Sequence, residues 1–197
     1  MQQTRPVLLH LLVLHAALDP VAEELADVGD GAGGGALDHG QDVLEAVHAA
    51  GYIHRDICPR NFVCSKDASS LKLIDFGLTL PAQKEFMLPG NRTGTPNYMA
   101  PEVVRRKPTD QRLDIFAYGV SMYELFAFEL PWQRGDTGQA AMSHGQSAPP
   151  PLSKYYPKIN PTLEAAIHKC MESEPENRFP SISQFLKAIA RLKHEHA

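Results

Sequence analysis

The first fifty residues contain no Phe, Tyr, Trp, Ile, Lys, Asn, Ser or Cys. They are built mostly from Ala, Val, Leu, Gly, Asp, Glu and His, and the run Gly31-Ala32-Gly33-Gly34-Gly35 works against any regular element. Each glycine loses more backbone entropy on ordering than any other residue. Residues 1–40 are therefore expected to be disordered. Cysteine is scarce throughout: Cys58, Cys64 and Cys170 are odd in number and outside any metal-ligand spacing. That pattern excludes a disulfide framework and a thiolate zinc site, and fits reduced thiols in a cytoplasmic protein. A bilayer-spanning run is missing as well. The best candidate, Val7–Leu18, is too short and carries His10 and His15, and Arg5 before it gives only a faint signal-peptide character. Positive charge is not in excess: the net charge of −4 argues against a broad nucleic-acid-binding surface.

What is there begins near Tyr52, where the composition turns ordinary. The chain has 197 residues, enough for one domain that buries about 70% of its unfolded surface. Residues from about Leu37 to Ala50 read as a helix, with Val43, Leu44 and Val47 at helical spacing and Gly51 placed for a left-handed cap. Phe62-Val63-Cys64 and Leu71-Lys72-Leu73-Ile74 read as two short strands with Ser65–Ser70 as their turn. A loop is expected from Leu78 to Met99. Asp114–Phe128 is nearly all apolar, the mark of a helix buried all round. Gly135–Pro151 reads as a loop. Asn160 or Thr162 caps a helix to about Met171, and Pro180-Ser181 opens a last helix to about His194.

The most informative pattern is an ordered set of short motifs. His54-Arg55-Asp56 is followed by Asn61, then by Asp75-Phe76-Gly77, then by Ala100-Pro101-Glu102. Each piece alone is weak, but four in this order and spacing leave a chance match implausible. The set resembles the protein kinases, in which these pieces are the catalytic base, two magnesium ligands and the end of an activation segment. The similarity runs from about Gln41 to Leu192. The I-C-P-R-N loop and the P-G-N-R-T-G-T-P-N-Y segment look like bacterial kinases of the eukaryotic type.

The resemblance implies a protein-kinase-like fold: the mostly α-helical C-terminal lobe, over residues 41–194, with a small β-hairpin. It implies transfer of the ATP γ-phosphate to Ser or Thr on a protein substrate, with ATP and Mg²⁺ as cofactors. Asp56 would orient the attacking hydroxyl and accept its proton. Asn61 and Asp75 would hold magnesium, Phe76 would pack beneath Asp75, and Gly77 would permit the turn. His54 resembles a packing residue, and Arg55 resembles the arginine that holds a phosphorylated activation loop. Thr93 is the candidate phosphate acceptor in that loop, with an unmodified threonine as the alternative. Thr95 would bond the catalytic Asp and shape the site for a short hydroxyl. Asp114 would brace the catalytic loop, and Glu102 and Arg178 would form a buried ion pair. Trp132, after Leu130-Pro131, is expected to pack.

Two departures stand out. Cys58 occupies the position where most serine/threonine kinases carry a lysine that neutralises γ-phosphate charge. Arg60, four residues after Asp56, is expected to supply that charge, as an equivalent arginine commonly does in tyrosine kinases; an exposed salt-bridging role is the alternative. Cys58 itself is either a thiol activated by nearby cations or a buried, inert one. The second departure lies upstream. No Gly-rich strand-turn-strand and no V-A-I-K-like lysine precede the motifs, and the first fifty residues hold no Lys at all. Residues 1–40 thus read either as a mis-started translation or as a divergent tail. Without the upper lobe the chain alone is expected to be truncated and inactive as an enzyme. The competing function is a non-catalytic, pseudokinase-like fragment that binds partners.

Overall fold

The structure, a computed structural model, describes residues 43–64, 71–89, 93–135, 141–144 and 146–190. The expectations for residues 1–40, for the Ser65–Ser70 turn and for helix beyond Ala190 lie outside the described residues.

A central helix organises the rest. Helix α3, Arg112–Ala127, buries every residue from Leu113 to Tyr123. A helix apolar all round has no solvent face to offer, so other elements must surround it. Among the described residues it is joined by helices α1 (Val43–Ala49), α2 (Pro101–Val104), α4 (Pro161–Cys170) and α5 (Ile182–Ala190). Helix α3 packs against α4, and Gly119 makes a close approach possible. A Cβ added there would lie 2.6 Å from Cys170 Cβ and 3.0 Å from Met171 Cγ. Helix α3 ends on Phe128, whose left-handed backbone (φ 57°) closes the last turn onto the Glu124 carbonyl.

Local chemistry accounts for the other helix boundaries. Asn160 caps α4, its side-chain oxygen accepting the N–H of Thr162 at 2.8 Å, with Pro161 at the first helical position. The choice left open between Asn160 and Thr162 is thereby decided. Helix α5 puts Ile182, Phe185 and Ile189 into the core at helical spacing. Helix α1 inserts Leu44 into the same core and is tied to α5 by a hydrogen bond from Ser183 Oγ to Glu45 Oε1.

Two antiparallel strand pairs carry the loops of interest. Strands β2 (Phe62–Cys64) and β3 (Leu71–Leu73) pair with Phe62 opposite Leu73 and Val63 opposite Lys72. Phe62 and Leu73 are buried and Val63 and Lys72 exposed, the alternation that sets the register. Strand β1 (Tyr52–Ile53) pairs with β4 (Leu80–Pro81). This second pairing falls in a stretch read as loop, because a two-residue strand has no period to detect.

Candidate active site

The loop after β1 centres on Asp56, which is 8% exposed. Its Oδ1 accepts the Thr95 N–H at 2.8 Å and the Thr95 hydroxyl at 2.6 Å. Its Oδ2 lies 3.2 Å from Asn61 Nδ2 and 3.6 Å from the Arg60 guanidinium. Burial alone would raise the pKa of this carboxyl and is the largest influence on it. The bonds from Thr95 and Asn61 and the Arg60 charge outweigh it and hold the group below the ordinary aspartate range. Asp56 is thus a fixed carboxylate.

The loop backbone is held from below by Asp114, a fully buried residue of α3. Its two carboxylate oxygens accept the N–H of His54 and the N–H of Arg55, each at 2.8 Å. His48 Nε2 of α1 lies 2.9 Å from the same carboxylate. These bonds hold Arg55 at φ 71°, a left-handed conformation that costs a non-glycine residue energy. Asp75 is the second non-glycine at this site in that region, at φ 64°. Gly94 fits against the same turn: with φ +110°, a Cβ there would lie 2.8 Å from the Arg55 carbonyl oxygen. Sequence reasoning did not single out His48 or Gly94. His48 meets Asp114 across 66 residues, a separation no local pattern reports.

Asn61 and Asp75 are brought together by the hairpin. The Ile74 N–H donates to the Asn61 carbonyl at 2.9 Å, so the residue before Asp75 is fastened to Asn61 itself. Asn61 uses Nδ2 to bond the Asp56 carbonyl at 2.7 Å, leaving Oδ1 out of that bond. Asp75 is exposed, and its Oδ1 lies 3.4 Å from the Gly77 N–H. One charged and one neutral oxygen donor suit a hard cation such as Mg²⁺. Among the described residues no group of three or more His, Cys, Asp or Glu side chains is placed to hold a metal alone. A cation here would draw its remaining oxygens from phosphates and water.

Phe76 differs from expectation. It is 50% exposed, with its ring in a T-shaped contact with the His54 ring at 5.0 Å, so its surroundings leave much of it unpacked. His54, fully buried, bonds the Ile74 carbonyl through Nε2 at 3.1 Å and is a packing residue. Cys58 resolves to the inert alternative. It is 1% exposed, and burial, then the Asp56 charge, push its thiol up against the opposing pull of Arg60. Arg60 donates to Thr95 Oγ1 at 2.6 Å while most of its side chain stays exposed. Arg55 Nη2 donates to Thr93 Oγ1 at 2.8 Å.

Farther from Asp56, Arg178 grips Glu102 with two parallel 2.7 Å bonds. It also donates to the carbonyls of Glu172, Arg112 and Ser173. Tyr98 donates its hydroxyl to Glu124 at 2.5 Å. Trp132 stacks on Phe116 at 5.9 Å.

A family model described as the protein kinase domain matches residues 39–189. The chain belongs to the protein kinase family. It is 36% identical over 162 residues to serine/threonine-protein kinase Pkn1 of Myxococcus xanthus, covering 79% of this chain and 23% of that protein. It is 35% identical over 158 residues to tyrosine-protein kinase MasK of Myxococcus xanthus, covering 77% of this chain and 24% of that protein. It is 31% identical over 158 residues to the probable serine/threonine-protein kinase PknB of Corynebacterium glutamicum, with the same shares. These relatives are bacterial, and the chain spans about a quarter of their length. The described part of this kinase domain is its helical lobe with the hairpin. Among the described residues no helix is long and apolar enough to cross a membrane.

Proposed function

We propose that this kinase domain transfers the γ-phosphate of Mg-ATP to serine or threonine hydroxyls of a protein, with Asp56 as the catalytic residue. The observation that carries this reading is the Asp56 carboxylate, ionised and held on one oxygen by Thr95. Its other oxygen, beside Asn61 and Arg60, is the one left to orient a hydroxyl. The lowered pKa makes it a weak base in the ground state, suited to orienting the nucleophile and taking its proton late. That suits phosphoryl transfer, where positioning and charge stabilisation do most of the work.

Magnesium, when bound, would supply positive charge against the phosphates. Asn61 and Asp75 are the residues of this chain that would hold it. Arg60 would meet phosphate charge in the role that Cys58 cannot fill. Arg55, already on Thr93 Oγ1, would gain a bidentate, charge-assisted bond if Thr93 were phosphorylated. The reading assigns the work to the cytoplasm, with a protein as partner and no nucleic acid. Residues 1–55 hold no Lys, so the reading assigns no lysine of that stretch to the nucleotide phosphates.

A second reading is a non-catalytic fragment that binds partners. It is favoured by Tyr52, Val63, Ile74 and Phe76, large apolar side chains each more than 40% exposed around the hairpin and the start of the loop. The two readings part on nucleotide. Under the first, Mg-ATP raises the melting temperature of the protein and Asp75→Asn abolishes the rise, since a ligand held only by the folded state must stabilise it. No shift with Mg-ATP favours the second.

A further inference from the structure

The segment from Thr95 to Met99 is fastened at both ends. Thr95 holds Asp56 at one end. At the other, the Met99 carbonyl accepts a 2.8 Å bond from Nδ1 of His144. A carbonyl can only accept, so Nδ1 carries the proton. His144 is 3% exposed. Its ring lies 5.8 Å from the Phe116 ring of α3 and 4.8 Å from the Trp132 ring. Trp132 is itself fixed, donating its indole N–H to the Ser147 carbonyl at 2.9 Å. Ala141, three residues before His144 and fully buried, packs with Met99 and Val104. Burial pushes the imidazole below its ordinary pKa against the raising influence of the Met99 bond, and so favours the neutral ring.

A buried histidine in an aromatic box is most often simple filling. Here its ring bond reaches the backbone of the segment whose far end, Thr95, bonds the Asp56 carboxylate. Between those ends Tyr98 is held by Glu124, and Asn97 Oδ1 accepts the Gly135 N–H at 3.0 Å. Gly135 and His144 thus each hold the segment by a hydrogen bond.

We infer that His144 is a positioning residue for the protein acceptor: by fixing the Met99 carbonyl it sets the path of the Thr95–Met99 segment, and with it acceptor affinity, while leaving nucleotide binding alone. The inference rests on the proposed reading that this segment faces the acceptor hydroxyl. Asn61 and Asp75, assigned there to the cation, have no contact with His144.

Two complementary variants test it. His144→Phe keeps the aromatic ring and removes the donor; His144→Asn keeps a donor near the Nδ1 position and removes the ring. With dephosphorylated casein as acceptor, His144→Phe is expected to raise the casein KM about five-fold, the size of one lost buried hydrogen bond. The KM for ATP and kcat should stay within about two-fold, and His144→Asn should restore the casein KM to within about two-fold. In parallel, hydrogen exchange at the Tyr98, Met99 and Val103 amides should quicken about five-fold in His144→Phe and not in His144→Asn. An unchanged casein KM in His144→Phe overturns the inference. So does equal loss in both variants, or a fall in kcat and ATP affinity together, because those mark a filler of the core. If the unaltered protein transfers no phosphate, the kinase reading fails, and unchanged exchange in His144→Phe would still overturn the His144–Met99 hold separately.

Discussion

Thr95 gives Asp56 both its backbone N–H and its hydroxyl, at 2.8 and 2.6 Å, on the same carboxylate oxygen. The segment that begins at Thr95 and the loop after β1 are therefore joined at the Asp56 carboxylate. Under the proposed function, a displaced segment would release the carboxylate that orients the acceptor.

Thr95→Val removes the hydroxyl bond and keeps the N–H. The Asp56 pKa should rise toward the ordinary aspartate value of 3.8, which carboxyl NMR titration can follow. The sign for stability follows from the lowered native pKa. Asp56 contributes stability that is fully present above its unfolded pKa and is lost as pH falls through the lower native one. The variant should lose less stability than the parent over that acid window. Its turnover should drop about 10²-fold, as for other lost donors that preorganise a reacting group.

Glu102 and Arg178 are buried partners, so removing one strands the other. Glu102→Gln is expected to cost about 3–5 kcal/mol in urea denaturation. Arg178→Met should cost more than Glu102→Gln, because three backbone carbonyls lose their donor as well. Arg178→Lys should rescue little, since an ammonium cannot reproduce the planar fork.

Asp114→Asn replaces one acceptor oxygen by a donor facing a backbone N–H. One of the two loop amides then loses its partner, at a cost of about 1.5–3 kcal/mol. Hydrogen exchange at His54 and Arg55 should quicken while α4 and α5 amides hold their protection. Uniform quickening across the domain would count against a local brace.

Gly94→Ala forces a Cβ to 2.8 Å from the Arg55 carbonyl in a backbone region that disfavours side chains. The expected cost is about 1–3 kcal/mol, read as a lowered denaturation midpoint. Gly51→Ala, also left-handed but with nothing within 4 Å, should cost less.

Much of the site was legible in sequence because its chemistry is carried by short motifs. His54 to Asn61 lies on one loop, and the hairpin that brings Asp75 back to Asn61 shows itself by the alternation of Phe62, Val63, Lys72 and Leu73. The buried helix α3 was equally plain from its unbroken apolar run. What escaped depends on distant partners. His48 meets Asp114, Gly94 meets Arg55 and His144 meets Met99 only after the chain has folded. Phe76 reads as a core residue by type, yet its surroundings leave half of it exposed. Cys58 had two readings because nearby cations and burial pull its pKa in opposite directions, and only the packed environment decides that burial wins.

The central claim is that Asp56 orients a hydroxyl for phosphoryl transfer. The most direct measurement incubates the protein, isolated from its own cells, with γ-labelled ATP, Mg²⁺ and casein, beside an Asp56→Asn protein expressed in the same cells. Phosphoamino-acid analysis follows. The account predicts label in phosphoserine and phosphothreonine, lost on chelation of Mg²⁺ and reduced at least about 10³-fold in Asp56→Asn. Equal labelling by both proteins, or none by the unaltered one, would contradict it.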